Sequence, residues 1–311
     1  MADGSVVDDY LANFVSWADG EPSVRGVIVM GSVAHTDAAD ALSDLDLMVI
    51  TTKPRRLRAA AWLDELEPRP LFSFTYGSPV GGQTVRQAVY DGPFVVDLAV
   101  VSRKQVALSG AAITLIARFP WSRNALPSQL AEQLDSWLRI TGRGTRVLMD
   151  KDGLAARMTR SVGLEPLALP SKAWFLNTVH SLFGLVLWES KQLVRGELWM
   201  ALGTVDQQVK QQLLTMMQWH SIATKPRATD TWYGGRHIAR WLDSRWLASV
   251  PSTWPPYDAE NAWNALLATL DLFSAIAKET AESLRYRYPA EEEQRVRSWL
   301  YERRLLALDD Q

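Results

Sequence analysis

The chain has 311 residues and no cysteine, and its formal charge is −2, from 33 Lys and Arg against 35 Asp and Glu. The absence of cysteine excludes disulfide scaffolds, thiolate zinc sites and cysteine nucleophiles. Because basic and acidic residues are balanced, the chain lacks the net positive charge that is typical of proteins that bind duplex DNA. The length suggests two domains, and a hydrophobic content of 47% is typical of a globular protein.

The first half of the chain alternates short β-rich runs with helical patterns. Apolar residues at helical spacing predict helices over residues 6–17 and 55–66. Runs of β-branched and apolar residues predict strands, in chain order over residues 24–30, 45–51, 71–76, 84–90 and 94–101. This half is therefore expected to be a mixed sheet flanked by helices.

After about residue 150 the strand patterns end. A segment with two prolines, 164–170, predicts a linker, and helical periodicity follows over residues 172–202, 207–219, 235–247, 260–284 and 291–306. The expected fold class is α+β, with an N-terminal mixed-sheet domain at 1–153 and a C-terminal all-α helical bundle at 154–311. Ten of the 14 tryptophans lie in this second half, and most are expected to pack in the bundle.

Gly31-Ser32 is followed, after eleven residues, by Asp44-Leu45-Asp46 at the start of a strand. Alternate strand residues point the same way, so both carboxylates are expected on one face of the sheet. Two neighbouring carboxylates repel each other, and a divalent cation would neutralise them. Gly31 and Ser32 could bring backbone and a hydroxyl close to a phosphate oxygen.

Asp97 lies in an apolar strand, where an unpaired carboxylate would cost several kcal/mol. It therefore needs a partner, which could be an arginine such as Arg86. If its strand lies beside that of Asp46, three carboxylates converge on one or two metal ions. Mg²⁺ bound by carboxylates and substrate phosphates suits nucleotide chemistry.

The Gly-Ser pair, the Asp-Leu-Asp strand and the later lone Asp together resemble the DNA polymerase β-like nucleotidyltransferase superfamily. More narrowly, the chain resembles the aminoglycoside 6-adenylyltransferase (streptomycin adenylyltransferase) family. Similar segments lie at 147–153, at 191–201, at Gly234-Gly235-Arg236 and between Trp263 and Leu300.

The resemblance implies transfer of AMP from ATP to a hydroxyl of an aminoglycoside, with release of pyrophosphate. Asp44, Asp46 and Asp97 match the family's metal-binding and catalytic acids, and Asp97 could also accept the proton of the acceptor. Gly31 and Ser32 match its phosphate-contacting turn.

Two departures from the family pattern concern the acceptor and the nucleotide. Val33-Ala34-His35 follows Gly31-Ser32 where the family has a polar, Arg-containing stretch, and residues 66–90 fit poorly. A different acceptor, such as another antibiotic, a metabolite or a protein, is therefore an alternative. A nucleotide-binding regulatory protein that has lost turnover is another.

Three cations in the second half are candidates for binding the triphosphate. Lys191 and Arg195 fall on one side of the helix predicted over 172–202, together with Trp188 and Trp199. A solvated or ion-paired face is the alternative. Arg236 is expected at a helix start, where its charge opposes the helix dipole and a bound anion would relieve the conflict.

The sequence also suggests where the protein works and with what. The N-terminus is acidic and carries no basic segment followed by an apolar run, which favours a cytoplasmic location. The expected partners are ATP, Mg²⁺ and a small hydroxylated acceptor in a cleft between the two domains. Binding to nucleic acid or membrane is not expected, and the protein is expected to be a monomer.

Overall fold

The structure is a computed structural model that describes residues 4–34, 43–78, 84–92, 94–119, 122, 134, 136–140, 144–159, 169–225, 229–231 and 234–309. The chain forms two compact units, Met1–Pro166 and Leu167–Gln311. Among the helices within these ranges, none combines the length and the apolarity needed to cross a bilayer.

The first unit is built on a six-stranded sheet with the strand order β3-β4-β5-β2-β1-β6. The strands are β1 Val24–Met30, β2 Leu45–Thr51, β3 Phe72–Gly77, β4 Thr84–Val89, β5 Val95–Ser102 and β6 Thr145–Asp150. β2 and β5 pair in parallel, and the other neighbours pair antiparallel. The sheet is therefore mixed, as the sequence predicts.

Helices cover both faces of the central strands. They are α1 Gly4–Gly20, α2 Pro54–Arg58, α3 Arg103–Arg118 and α4 Leu154–Thr159. On one face Phe14 and Trp62 pack with Leu47 and Leu98 in one apolar cluster. On the other face, a second cluster includes Ile28, Met48, Val101, Val106 and Leu154. These two clusters fix which strand residues face which helices.

The helix predicted over residues 55–66 is wrong in its extent. Helix α2 ends at Arg58 because Ala59 takes an extended conformation with ψ 163°, and a 3₁₀ turn follows at Ala61–Glu65. The break buries Trp62, whose indole N–H donates to the carbonyl of Leu57 at 2.8 Å. The apolar residues keep helical spacing across this break, so the sequence pattern predicts one helix where the structure has two separate turns.

The regular secondary structure described in the second unit is all helical, which confirms the predicted bundle. Its helices are α5 Lys172–Val194, α6 Leu198–Met200, α7 Asp206–Thr224, α8 Ile238–Trp241, α9 Ser244–Leu247, α10 Ala259–Leu284 and α11 Ala290–Asp309. A π-helical turn, Ala201–Val205, leads into α7, and a 3₁₀ turn, Val250–Thr253, follows α9. One apolar cluster joins the longer helices and includes Phe175, Leu213, Trp263, Phe273 and Leu300.

Two helices predicted in this unit are interrupted. The helix expected over 172–202 ends at Val194, because Gly196 adopts a left-handed conformation with φ +71°. The helix expected over 235–247 is a turn followed by two single-turn helices, because Gly234, Gly235 and His237 all have positive φ.

The compact unit that carries the sheet extends past residue 153. Leu154 and Met158 of α4 pack against the sheet in the cluster that contains Ile28. Of the linker expected at 164–170, residues 164–168 lie outside the described residues. A functional boundary at residue 153 stays a prediction.

Candidate active site

Two acids meet at facing positions of neighbouring strands. In the parallel pairing of β2 with β5, Asp46 is the register partner of Asp97. The same row continues to Gln87 of β4 and Phe74 of β3, and on the other side to Met30 of β1. Register partners point to the same face of a sheet, so these side chains form one row across five strands. We call this set the acid row.

Gly31 follows the end of β1, beside Asp46. Its φ is +72°, and a Cβ atom at this position would lie 2.5 Å from Oδ2 of Asp46. Only glycine therefore suits both the backbone conformation and the space at this turn. Ser32 comes next and opens a short 3₁₀ turn, Ser32–Ala34, closed by a hydrogen bond from the Ala34 N–H to the Gly31 carbonyl at 3.2 Å. His35 lies outside the described residues.

Asp97 accepts two hydrogen bonds from residues of β3 and β4. The Tyr76 hydroxyl donates to its Oδ2 at 2.7 Å, and the Gln87 amide donates to its Oδ1 at 2.9 Å. Arg86, the partner considered from sequence, instead donates to the carbonyl of Arg58 and to the hydroxyl of Ser73. Strand alternation explains this, because Arg86 faces the side of the sheet opposite to Gln87.

Asp44 is the residue immediately before β2. The residue as a whole is exposed, although its carboxyl group is partly buried. Burial of its carboxyl group raises its pKa, and the negative charge of Asp97 raises it further. The carboxylates of Asp44 and Asp97 are thus close enough for their charges to interact.

The donor atoms of the three acids suit a hard divalent cation, which prefers carboxylate oxygens. Asp97 keeps acceptor capacity, since an ionised carboxyl has about four lone-pair positions and two are used. Within the described ranges, no three side chains among His, Cys, Asp and Glu are grouped closely enough to hold a metal ion. The three acids are therefore not grouped closely enough in this structure to hold one cation together, and their side chains would have to move for all three to bind it.

The three candidate cations belong to the other compact unit, and the single helix predicted to carry both Lys191 and Trp199 is interrupted. Lys191 is exposed on α5, but Arg195 is the residue that caps the helix end, and Trp199 lies beyond the break at Gly196. The four residues expected on one helical face are therefore not on one helix. Lys191 instead borders a pocket of about 440 Å³ that is also lined by Leu187, Trp299, Glu302, Arg303 and Leu306.

Arg236 does not begin a helix. It lies in the turn before α8, and its carbonyl accepts a hydrogen bond from the Trp241 indole N–H at 2.9 Å. The conflict with a helix dipole that motivated this candidate is therefore absent at this position.

Comparison with known proteins finds similarity to adenylyltransferases. The model of the family described as streptomycin adenylyltransferase matches residues 126–303. The aminoglycoside 6-adenylyltransferase of Bacillus subtilis (strain 168) is 24% identical over 145 residues, which are 46% of this chain and 51% of that protein. The chain thus matches about half the length of this curated relative.

Two solved structures are also similar. The aminoglycoside 6-adenyltransferase from Bacillus subtilis matches at a TM-score of 0.41 and 15% identity, over 94% of this chain and 97% of that chain. A nucleotidyltransferase-like protein from Exiguobacterium sibiricum 255-15 matches at a TM-score of 0.34 and 12% identity, over 89% and 78%.

The segment matched by the family model begins after Gly31, Asp44, Asp46 and Asp97. The match therefore rests chiefly on the helical unit, independently of the acid row. Since it spans more than half of the sequence, the chain belongs to the streptomycin adenylyltransferase family.

Proposed function

We propose that the protein transfers AMP from ATP to a hydroxyl group of an aminoglycoside in a Mg²⁺-dependent reaction. The observation that carries this proposal is the acid row, in which Asp46 faces Asp97 and Gly31 adjoins Asp46. Membership of the streptomycin adenylyltransferase family supports the choice of nucleotide chemistry and of acceptor.

In the proposed reaction, the acceptor hydroxyl oxygen attacks the α-phosphorus of ATP. The new bond joins this oxygen to phosphorus, the bond from the α-phosphorus to the bridging oxygen breaks, and pyrophosphate leaves. Asp97 takes the hydroxyl proton, while the hydrogen bonds from Tyr76 and Gln87 keep its carboxylate in place. The work of the protein is then mostly to position the reactants.

Asp44, Asp46 and Asp97 are the residues that would hold the divalent cation. When bound, the cation supplies positive charge that neutralises the triphosphate and the developing charge of the reaction. Gly31 allows the backbone to approach the phosphates, and the Ser32 hydroxyl is available to donate to a phosphate oxygen. Lys191, Arg195 and Arg236 remain proposed contacts of the nucleotide.

A second candidate keeps the reaction and changes the acceptor. The sequence after Gly31-Ser32 reads Val33-Ala34-His35 in place of a polar, Arg-containing stretch, and Gly31 itself lies beside Asp46. A regulatory protein that binds nucleotide without turnover is the third candidate. The retention of all three acids disfavours it.

One assay separates these candidates. Purified protein is incubated with ATP, Mg²⁺ and a panel of acceptors, and pyrophosphate release and the mass of the product are measured. Streptomycin or another aminoglycoside gaining one AMP supports the first candidate. Release with other acceptors alone supports the second, and ATP binding without any release supports the third.

A further inference from the structure

Strand β3 places three aromatic side chains on the face of the sheet that carries the acid row. Phe72, Phe74 and Tyr76 alternate along the strand and therefore point the same way. Phe74 is the register partner of Gln87, which in turn pairs with Asp97. We call these three residues the aromatic stripe.

The aromatic stripe is exposed at the edge of the sheet. Phe72 is 57% exposed and Phe74 is 45% exposed. The helices that cover the central strands bury Met48 and Val101 on this face, but these two rings remain in contact with water. Exposed large apolar side chains on an edge strand promote aggregation. The exposure of Phe72 and Phe74 on β3 therefore indicates that these rings have a function.

The aromatic stripe is joined directly to the acids. The Phe74 and Tyr76 rings lie 6.3 Å apart between centroids, and the Tyr76 hydroxyl donates to Asp97. The surface thus runs from two exposed rings through a tyrosine to a carboxylate pair. Aromatic faces and carboxylates both attract positive charge.

The nearest arginine on these strands does not offset that charge. Arg86 faces the opposite side of the sheet, where it donates to the carbonyl of Arg58 and to the hydroxyl of Ser73. The face that carries Asp46, Asp97 and the aromatic stripe is therefore complementary to a cation that also offers apolar ring surface.

We propose that the aromatic stripe is the wall of the acceptor site, where it binds a positively charged sugar or cyclitol ring next to Asp97. The inference rests on the proposed function for its choice of ligand class. The ammonium or guanidinium groups of the ligand lie against the ring of Phe74 and near the carboxylates, and its C–H groups contact Phe72. This arrangement holds a hydroxyl of the ligand within reach of Asp97.

The test measures binding separately from turnover. Calorimetric titration of the full chain with streptomycin, with kanamycin, with uncharged sucrose and with ATP is compared for the wild type, Phe74→Ala and Phe74→Trp. Leu71→Ala is the matched control, because Leu71 is an apolar neighbour that is 67% exposed and alternation directs it to the opposite face.

We expect Phe74→Ala to weaken binding of at least one aminoglycoside about tenfold, with the ATP affinity unchanged. Phe74→Trp should restore the binding, Leu71→Ala should leave it at the wild-type value, and sucrose should bind at least tenfold more weakly than the aminoglycoside. Circular dichroism of each variant checks that the fold is retained.

The inference is overturned if Phe74→Ala binds aminoglycosides as Leu71→Ala does, if it loses ATP affinity instead, or if the wild type binds neither aminoglycoside. A wild type that binds an aminoglycoside at Phe74 without releasing pyrophosphate contradicts the proposed function and leaves this inference intact. If Phe74→Ala transfers AMP to an aminoglycoside at the wild-type rate, the proposed function is supported and this inference is contradicted.

Discussion

Gly31 is the residue at which backbone geometry limits the acid row most tightly. A Cβ atom there would lie 2.5 Å from Oδ2 of Asp46, a distance that forces either the turn or the carboxylate to move. Because Asp46 faces Asp97 across the strand pair, any movement of its carboxylate changes the distance between the two acids. The turn therefore sets the position of an acid that the proposed reaction needs.

We expect Gly31→Ala to lower the rate of AMP transfer by at least about 10²-fold, as displacements of about 1 Å do in active sites. Gly153→Ala is the control, because Gly153 has a similar φ of +69° with nothing within 4 Å of a built Cβ. Each substitution should cost about 1 kcal/mol of stability through backbone strain. Equal activities of the two variants in pyrophosphate release would contradict the account.

Glu189 is a titratable residue that the proposed reaction does not use. It is 1% exposed, and its Oε2 has no hydrogen-bond partner among the residues that the structure describes. Burial, followed by the charge of Asp206, raises its pKa to about 8, although the ammonium of Lys210 opposes this change. The folded protein therefore holds Glu189 protonated at neutral pH.

A raised pKa in the folded state makes stability fall as pH rises. Between about pH 4.5 and 8 the unfolded chain has lost the Glu189 proton and the folded chain keeps it. The free energy of unfolding should therefore decline by up to about 1.4 kcal/mol per pH unit in this window. Glu189→Gln, a neutral isostere, should remove this contribution.

Urea unfolding at pH 5, 6, 7 and 8 measures the effect. The free energy of unfolding of Glu189→Gln, relative to the wild type, should rise at each step, whereas the exposed control Glu282→Gln should show no such trend. Parallel pH profiles for Glu189→Gln and the wild type would show that Glu189 is ionised in the folded state.

At the scale of elements, the turn after β6 shows how a short acidic segment fixes a helix. Asp150 accepts hydrogen bonds from three backbone N–H groups, those of Asp152, Leu154 and Ala156, at 3.4, 3.1 and 2.9 Å. Asp152 pairs with Arg25 of β1 and Arg103 of α3, which holds its pKa well below the usual range. The segment is therefore a structural turn.

We expect Asp150→Ala to lower the free energy of unfolding by about 1–2 kcal/mol, since it removes the acceptor for the first N–H groups of α4. Asp9→Ala, an exposed substitution within α1, is the control and should have little effect. Equal urea midpoints for the two variants would show that water replaces the Asp150 carboxylate at no cost.

The strands could be predicted from sequence more closely than the helices. β1 and β2 begin and end where the apolar runs do, because both strands are mostly buried and their neighbours are turn residues. The end of α5 was missed because apolar residues recur at helical spacing on both sides of Gly196, through Leu193 and Ala201. Arg195-Gly196 is a typical helix end, which the periodicity outweighed.

The partners within the acid row could be predicted only in part. The alternation of Asp44 with Asp46 and the apolar neighbours of Asp97 are local features, but the pairing of β2 with β5 depends on the order of strands in the folded sheet. Tyr76 and Gln87 were missed for the same reason, since a hairpin strand must lie beside β5 before either side chain reaches Asp97. The polar residue Gln87 inside the predicted strand 84–90 was the available signal.

At the scale of the whole molecule, two independent observations support adenylyl transfer. The acid row lies in the unit Met1–Pro166, whereas most of the segment matched by the family model lies in the unit Leu167–Gln311. Neither observation depends on the other. We infer that Asp46 and Asp97 carry the chemistry, whereas the family of the chain is identified chiefly by its other unit.

The most direct measurement is the mass of the product formed from ATP, Mg²⁺ and an aminoglycoside by the wild type, Asp46→Asn, Asp97→Asn and the exposed control Asp64→Asn. We expect an AMP adduct with the wild type and the control. The rate should be at least about 10³-fold lower for Asp46→Asn and Asp97→Asn, because removing a charge or a base from such a site typically costs this much. An adduct formed at the wild-type rate by Asp46→Asn or Asp97→Asn, each folded as judged by circular dichroism, would contradict this expectation.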